Sequence, residues 1–242
     1  MVRVWYIWLV TSTVTTLMPI SKTYNKNFFK TWSSDMAYIL GFMYADGNVV
    51  KSKRGTHFIA VYSADKGILL SMRKCFQSSH KLSERRSLTG CVYRIQIGSK
   101  DWFRDLGDIG LFPNKTKRML LPCVPKDFVG DFVRGYFDGD GSVWSGIINK
   151  YRKTPTKVLQ AVFTSGSVEY LLSLRELLQS QGIAGGGMYT PKIGNYSRLI
   201  LSTKDALKLY KIMYNAPHKL HLRRKKVVFE KFMKNCGSSS TG

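Results

Sequence analysis

Two Asp-Gly pairs, placed 94 residues apart, contain the residues of this chain best suited to metal chemistry. The aspartates are Asp46 and Asp140, and each follows a small residue, Ala45 in the first copy and Gly139 in the second. Carboxylate and backbone carbonyl oxygens are the hard ligands that Mg²⁺ prefers. We therefore consider Asp46 and Asp140, with the carbonyl oxygens of Ala45 and Gly139, as candidate metal ligands.

The segments before these aspartates have a helical pattern with one face of small side chains. Ser33 or Ser34 is placed to cap the first helix, which we expect to extend to about Tyr44. A glycine inside a helix costs about 1 kcal/mol relative to alanine, so glycines at matched positions predict that the two helices pack closely side by side. The small-residue face consists of Ala37, Gly41 and Ala45 in the first copy, and of Gly135 and Gly139, with Asp131 at the remaining position, in the second.

Close parallel packing would bring Asp46 and Asp140 together at the C-terminal ends of the helices. The helix dipole presents negative charge there, and the two carboxylates repel each other. A divalent cation between them removes both penalties, and two such cations flanking a phosphate would polarise it and stabilise the attacking and leaving oxygens. A single Asp-Gly pair is typical of a turn, but two copies in register, each ending such a helix, favour a functional site.

The sequence after each aspartate also repeats. Both halves continue with patterns typical of two strands, a helix and two further strands, and each ends in a helix for which we expect Ser99 and Thr203 to be the N-caps. The fold class predicted is α+β, with two pseudo-symmetric α-β-β-α-β-β-α repeats. Prolines between 113 and 125 mark the boundary. We assign residues 1–32 to an N-terminal segment of unknown role, 33–124 to the first repeat, 125–236 to the second, and 237–242 to a flexible tail.

The charge of the chain indicates a polyanionic partner. Thirty-eight Lys and Arg against 15 Asp and Glu give a formal charge of +23, and the excess extends through most of the chain. Nucleic acid accounts for this better than a membrane surface does. The four cysteines form no CxxC pair and no His lies at zinc-ligand spacing, so we expect reduced thiols in an intracellular protein. A short apolar run at 4–10 leaves a secreted basic protein as a remote alternative.

The segments Ile39–Gly47 and Val133–Gly141 resemble the motif of the LAGLIDADG homing endonucleases. The second copy is the closer match, and the downstream strands and helices extend the resemblance over about residues 34 to 235. The resemblance implies a pseudo-twofold saddle, in which two four-stranded antiparallel sheets line a groove for double-stranded DNA and the motif helices form the central interface. It also implies that Asp46 and Asp140 are the acidic metal ligands of a single-chain, two-motif enzyme.

Members of this family carry a basic residue late in each repeat, near the active-site water. The resemblance implies Lys117 in this role in the first repeat, and Lys225, with Arg224 as the alternative, in the second. Tyr44 stands where the first motif usually has its other Asp. We therefore do not count that position as a ligand.

Basic and amide side chains on the predicted strands and turns form the candidate DNA-binding surface. Lys and Arg neutralise phosphates, whereas Arg and Gln also recognise base edges in the major groove. We expect about half of the set to touch DNA, the rest facing solvent. The set is Lys51, Lys53, Arg54, Arg85, Arg86, Arg94 and Gln96 for the first sheet, and Lys150, Arg152, Lys153, Lys157, Lys192 and Arg198 for the second.

Together with the resemblance, these features predict a homing endonuclease, intron-encoded or of intein or free-standing origin, that acts as a monomer on double-stranded DNA. It would hydrolyse both strands of a long, non-palindromic target with Mg²⁺, one Asp serving each strand. Two alternatives remain on the same scaffold, an RNA maturase acting on intron RNA and a DNA-binding protein that does not cleave. Retention of both aspartates argues against the second alternative, whereas composition does not separate RNA from DNA as the partner.

Overall fold

The computed structural model describes residues 22–88, 90–217 and 219–237, which form two repeats of the same element order. The first repeat consists of α1 (Ser34–Asp46), β1 (Gly47–Lys51), β2 (His57–Ser63), α2 (Lys66–Cys75), β3 (Ser83–Ser87), β4 (Gly90–Gly98) and α3 (Lys100–Asp108). The second consists of α4 (Val129–Asp140), β5 (Gly141–Ile148), β6 (Thr156–Ser165), α5 (Val168–Ser180), β7 (Gly187–Tyr189), β8 (Ser197–Leu201) and α6 (Thr203–Met213), followed by α7 (Arg223–Gly237). The predicted order is confirmed in both repeats, and α7 is additional. The expectations for the apolar run at 4–10 and for the tail beyond 237 lie outside the described residues.

Each repeat contributes one four-stranded antiparallel sheet, as predicted. The strand orders are β1-β2-β4-β3 and β5-β6-β8-β7, so the two sheets have the same topology. Successive side chains of a strand point to opposite faces. One face of each sheet is covered by helices and buries residues such as Ile59, Ile95, Leu159 and Leu199. The face away from the helices is called the open face below.

Helices α1 and α4 pack against each other along their small-residue faces and form the centre of the molecule. A Cβ added at Gly41 would fall onto the carbonyl oxygen of Phe132, and one added at Gly135 would fall onto that of Tyr38. Backbone therefore lies against backbone at both positions, and only glycine allows it. This contact is the reason predicted for the matched glycines.

Serine hydroxyl groups cap the N-terminal ends of α1 and α3. Ser33 and Ser99 each accept a hydrogen bond from the backbone N–H three residues further on, as predicted, and such a cap contributes about 1 kcal/mol. The N-cap of α6 is Ser202 rather than the predicted Thr203. The Thr203 hydroxyl instead accepts the backbone N–H of Leu159 in β6, so this side chain joins helix to sheet and the helix begins one residue earlier.

Within the described residues, no helix is both long and apolar enough to cross a membrane. Cys75, Cys91 and Cys123 form no disulfide among the described residues. Burial, together with the neighbouring Asp35, raises the pKa of Cys75 to about 12. The Cys75 thiol therefore stays protonated and donates to that carboxylate at 3.6 Å.

Candidate catalytic site and nucleic-acid interface

The two candidate metal-binding aspartates lie together where the central helices end. Asp46 is the last residue of α1 and Asp140 the last of α4, and a strand begins at the next residue in each case. Oδ2 of Asp46 lies 3.6 Å from the place that a Cβ of Gly139 would occupy, so this carboxylate reaches the opposite helix. Both aspartates are exposed. The helix packing thus presents two carboxylates, one from each repeat, at a single accessible place.

The surroundings disfavour the charged form of both carboxylates. Although each is accessible, protein atoms surround most of it, and this desolvation raises the pKa of Asp46 and raises that of Asp140 to about 6. The negative charge of Asp46 is the second cause for Asp140, while Lys115 and Lys225 lower the pKa of both groups. A bound cation would relieve this desolvation and repulsion.

The oxygen atoms gathered at this place fit a hard divalent cation. The carbonyl oxygens of Ala45 and Gly139 lie beside the two carboxylates. The Ala45 oxygen accepts a hydrogen bond from Nζ of Lys115 at 3.2 Å, and the Gly139 oxygen accepts one from Nζ of Lys225 at 3.4 Å. A carbonyl oxygen has two lone pairs, so each retains one. The described part of the chain contains no cluster of three or more His, Cys, Asp or Glu side chains that could hold an ion. An ion here would depend on two carboxylates and on carbonyl, water or phosphate oxygens.

Lys115, rather than the predicted Lys117, approaches the aspartates in the first repeat. The Lys115 side chain is buried, and burial lowers its pKa while Asp140 and Asp46 partly offset that effect. Lys117 is exposed and lies two positions later in the same 3₁₀ turn, Lys115–Lys117. Three residues complete one turn of such a helix, so side chains two positions apart point about 240° apart around its axis. The structure therefore places Lys115, and not Lys117, where the basic residue was expected.

Lys225 lies buried at the end of α4, at the position expected for the second repeat. Its Nζ donates to the carbonyl oxygens of Phe137 and Asp138 at 2.7 Å each and contacts two further carbonyls just beyond them. The last carbonyls of a helix have no partner within it, and a cation there is stabilised by the helix dipole. Burial lowers the pKa of Lys225 to about 8, with Asp138 the main opposing charge. Arg224, the alternative, is exposed.

A buried network, missed from the sequence, fixes the segment that carries Lys225. Oδ2 of Asp138 accepts the hydroxyl of Tyr38 at 2.8 Å and the backbone N–H of Leu222 at 2.7 Å. Arg134, also buried, donates to backbone carbonyls at both ends of the loop between α6 and α7. Because Tyr38 belongs to α1, the first repeat takes part in positioning a lysine of the second. The sequence signal for this network was the acidic residue itself, two positions before Asp140.

The strand register of the first sheet divides its predicted DNA-binding residues by face. Val49 and Ile95 are buried and mark the helix-covered side of β1 and β4. Residues an even number of positions from them share that side, so two of the predicted residues do not line the open face. The open face holds Arg85, Arg94 and Gln96, the β1–β2 turn holds Lys53 and Arg54, and the covered side holds Lys51 and Arg86.

The second sheet divides in the same way. The ammonium group of Lys157 lies 5.5 Å from the ring centroid of Phe232 in α7, on the helix-covered side, so it does not line the open face. The open face also holds Trp144 and Tyr189, both about half exposed. Neither is in the predicted set, because that set contains only charged and amide side chains. Arg198 lies on the open face, Lys150, Arg152 and Lys153 lie in the β5–β6 turn, and Lys192 lies in the β7–β8 loop.

Comparison with known proteins agrees with this architecture. The family model for the LAGLIDADG-like domain matches residues 127–213. A lysine-to-alanine mutant of I-SmaMI has 12% identity and a TM-score of 0.59, with 86% of this chain and 93% of that chain covered. The LAGLIDADG meganuclease I-AabMI, bound to uncleaved DNA, has 13% identity and a TM-score of 0.59, covering 84% and 91%. The I-LtrWI LAGLIDADG homing endonuclease, bound to target DNA, has 13% identity and a TM-score of 0.56, covering 90% and 92%.

No curated protein matches the chain in sequence. The family model matches the second repeat, while the solved structures extend over both repeats. The resemblance seen in the two motifs is therefore confirmed. Residues 127–213 match the model of the LAGLIDADG-like domain, and the chain as a whole has the two-repeat fold of the LAGLIDADG meganucleases.

Proposed function

We propose that this protein is a site-specific endonuclease of the homing type, which binds double-stranded DNA along its open faces and cuts both strands at the paired aspartates. The observation that carries this proposal is that Asp46 and Asp140 come from different repeats yet meet at one exposed place between two sheets. The approximate twofold relation of the repeats corresponds to the approximate twofold relation of the two strands of a duplex. Each aspartate can then serve one strand.

The charge distribution supports a duplex as the partner. The formal charge is +23, and basic side chains such as Lys53 and Lys150 lie in the turns at the outer ends of the sheets. Arg94 and Arg198 occupy corresponding places on the two open faces, opposite Tyr62 and Thr164. Lysines in the turns suit phosphates, whereas arginines on the strands can also recognise base edges. I-AabMI and I-LtrWI, which share the fold, are described as bound to DNA.

Asp46 and Asp140, with the carbonyl oxygens of Ala45 and Gly139, are the groups that would hold the divalent ion, for which we propose Mg²⁺. Such an ion, when bound, polarises the scissile phosphate and activates water. Both carboxylates must be deprotonated to act as ligands. Because the pKa of Asp140 is raised to about 6, we infer that ion binding strengthens as the pH rises through that value. I-SmaMI, of the same fold, is described with an uncleaved target in the presence of calcium ions.

The two buried lysines differ in what they can do in the proposed reaction. Lys115 has one hydrogen bond among the described residues, to Ala45, and an ammonium group has three donors. Two donors are therefore left for water or a phosphate oxygen, and we assign to Lys115 the stabilisation of charge at the reacting phosphate. Lys225 places its donors on carbonyls at the end of α4. We assign to it the task of holding the backbone that carries Asp140.

The proposed site is complete within one chain. The helix interface that pairs the aspartates is intramolecular, so we propose that the protein acts as a monomer, with one aspartate in each of the units 33–124 and 125–236. The two open faces carry different side chains at corresponding positions. The two half-sites of the target are therefore expected to differ, which gives a non-palindromic site.

Selection from a randomised duplex library by the full chain tests this function. We expect cleavage at one long sequence in Mg²⁺ and no cleavage in EDTA. Duplex binding without cleavage in any divalent ion would indicate a DNA-binding protein that does not cut. Tight binding to structured RNA with no duplex selected would indicate a maturase. Either result contradicts the proposed endonuclease.

A further inference from the structure

The open faces of the two sheets carry their large apolar side chains at different positions. The correspondence follows from the register, because Gly47 lies opposite Val61 in one sheet and Gly141 opposite Phe163 in the other. Counting outward from these pairs matches each position of the first sheet with one of the second. The second sheet has the larger apolar group in three matched pairs, namely Val50 with Trp144, Gln96 with Ile200, and Ser83 with Tyr189. The first sheet has it in two others, Phe58 with Gln160 and Tyr62 with Thr164.

Trp144 lies over the glycine two positions further along its strand, in space that a side chain at that position would occupy. A Cβ added at Gly146 would fall onto the indole, 2.7 Å from its Cη2 atom and 3.1 Å from Cε2. Residues two apart share a face of the sheet, so the ring lies along the strand over Gly146. The side chain nevertheless remains 51% exposed. An aromatic side chain has only two rotatable bonds, so it loses little entropy when a partner covers it.

The neighbours of Trp144 restrict the partner that would fit against this ring. Gln160 lies directly opposite Trp144, and Val162, two positions along β6, lies beside Ile200 of β8. In the major groove of DNA, thymine presents a C5-methyl group that apolar side chains contact, and adenine accepts paired hydrogen bonds from glutamine. An aromatic ring beside a glutamine therefore matches both edges of an A·T pair. Guanine, which arginine recognises best, has its counterpart in Arg198, two strands away from Trp144.

We propose that Trp144 is a specificity-determining residue that contacts thymine methyl groups in the half-site beneath the second sheet, with Gln160 binding the adenine edge beside them. The inference rests on the proposed DNA groove and adds the base preference of one half-site. On the first sheet, Arg94, aligned by its hydrogen bond to Ser83 at 3.1 Å, and Gln96 provide hydrogen-bond donors near the matched place. The methyl contact made by Trp144 belongs to the second half-site, whereas Val50 and Phe58 offer apolar contacts of their own beneath the first sheet.

Replacement of thymine by deoxyuridine, which lacks only the methyl group, tests this inference. The full chain is used in Ca²⁺ to select its duplex from a randomised library, and Arg94→Ala, which weakens selection beneath the first sheet only, gives the orientation of the site. Deoxyuridine is then placed in one half-site at a time, and Kd is measured. We expect binding about fourfold weaker for each contacted methyl beneath the second sheet.

Three variants connect the methyl effect to the indole. Trp144→Ala removes the ring and Gly146→Ala displaces it, and both should abolish the deoxyuridine effect in the second half-site. Val50→Ala, at the matched position of the first sheet, should leave that effect intact. The ring is exposed and Gly146 lies in an extended strand, so thermal unfolding should show that all three variants remain folded.

The outcomes separate this inference from the function on which it rests. A thymine-containing second half-site with a methyl effect that disappears in Trp144→Ala supports the inference. If a duplex is selected but deoxyuridine in the second half-site does not weaken binding, or still weakens it in Trp144→Ala, the inference is wrong and the proposed DNA groove is unaffected. Failure to select any duplex overturns the groove itself, and with it the role of Trp144.

Discussion

Replacing Gly135 with alanine tests the close helix packing on which the site depends. A Cβ at this position of α4 would fall onto the carbonyl oxygen of Tyr38, 2.8 Å from its carbonyl carbon and 2.9 Å from the backbone nitrogen of Phe42. All three atoms belong to the backbone of α1, so no side-chain rotation can relieve the overlap. The two helices must move apart, which loosens the packing that buries the whole of their common face.

The size of the effect follows from two opposing contributions. Optimal contacts between carbon atoms need about 3.5–4.0 Å, so the helices must separate by roughly 1 Å, and overpacking of a rigid core costs about 3 kcal/mol. Alanine favours the helix over glycine by about 1 kcal/mol, which leaves a net loss of about 2 kcal/mol. A domain of this size loses about 2–4 °C in Tm per kcal/mol, so we expect a fall of about 4–8 °C for Gly135→Ala.

Gly107 supplies the matched control because it is a helical glycine in α3 whose added Cβ would meet no atom within 4 Å. Gly107→Ala should therefore show only the helix preference of alanine, with Tm unchanged or raised by up to about 4 °C. Thermal unfolding followed by circular dichroism measures both variants. A Tm for Gly135→Ala equal to or above that of Gly107→Ala would show that the helices do not meet through their backbones.

Three further predictions concern the charged groups of the site. Lys225→Met should lower the free energy of unfolding, measured by denaturant titration, by about 2–4 kcal/mol, because carbonyls at the end of α4 lose their donor. Lys226→Met is the control. It removes a surface ion pair with Glu230 and should lower the free energy of unfolding by less than about 1 kcal/mol. Because the pKa of Asp140 is raised to about 6 in the folded protein, stability falls as the pH rises from about 4 through 6. Without divalent ion, Asp140→Asn should thus raise the free energy of unfolding at pH 7.5 by about 1 kcal/mol, allowing for solvent screening. At pH 4 the same substitution should change the free energy of unfolding little. Equal gains at both pH values would contradict the raised pKa of Asp140. Lys115→Ala should slow single-turnover cleavage roughly 100-fold or more, whereas Lys117→Ala should keep most of the rate, and the reverse order would restore Lys117 as the reacting lysine.

The pairing of the aspartates could be predicted because each step depends on a strict local rule. The spacing of 94 residues aligns two motifs, and glycines repeating on one helix face admit few explanations other than close contact between helices. Since each strand begins at the residue after its aspartate, alternation then places Trp144 on the open face. Trp144 is absent from the predicted set because charge and amide groups mark phosphate and base contacts in a sequence, whereas an aromatic residue in a strand is more often part of the core.

The places of Lys117 and Lys157 depend on geometry that sequence patterns do not contain. Asn114 adopts a left-handed conformation with φ of 57° just before the 3₁₀ turn, which sets the phase that turns Lys115 inward and Lys117 outward. Lys157 was expected in the groove, but β6 begins at Thr156 and carries Lys157 on its helix-covered side.

Asp138 was missed for a different reason, since its partners are remote in the chain. Tyr38 lies 100 residues before Asp138 and Leu222 lies 84 residues after it. A buried acidic residue needs hydrogen-bond partners, but local sequence cannot say which ones. Only the packing of α1, α4 and the segment before α7 brings these groups together.

Strand-resolved cleavage of the selected duplex in Mg²⁺ by the intact protein, Asp46→Asn and Asp140→Asn is the most direct test of the two-aspartate site. Each strand is labelled separately, and binding is measured in parallel. We expect the intact protein to cut both strands, and both variants to bind the duplex at least as tightly yet produce no double-strand break. Double-strand cleavage at the intact rate by either variant would show that the paired aspartates are not the catalytic centre.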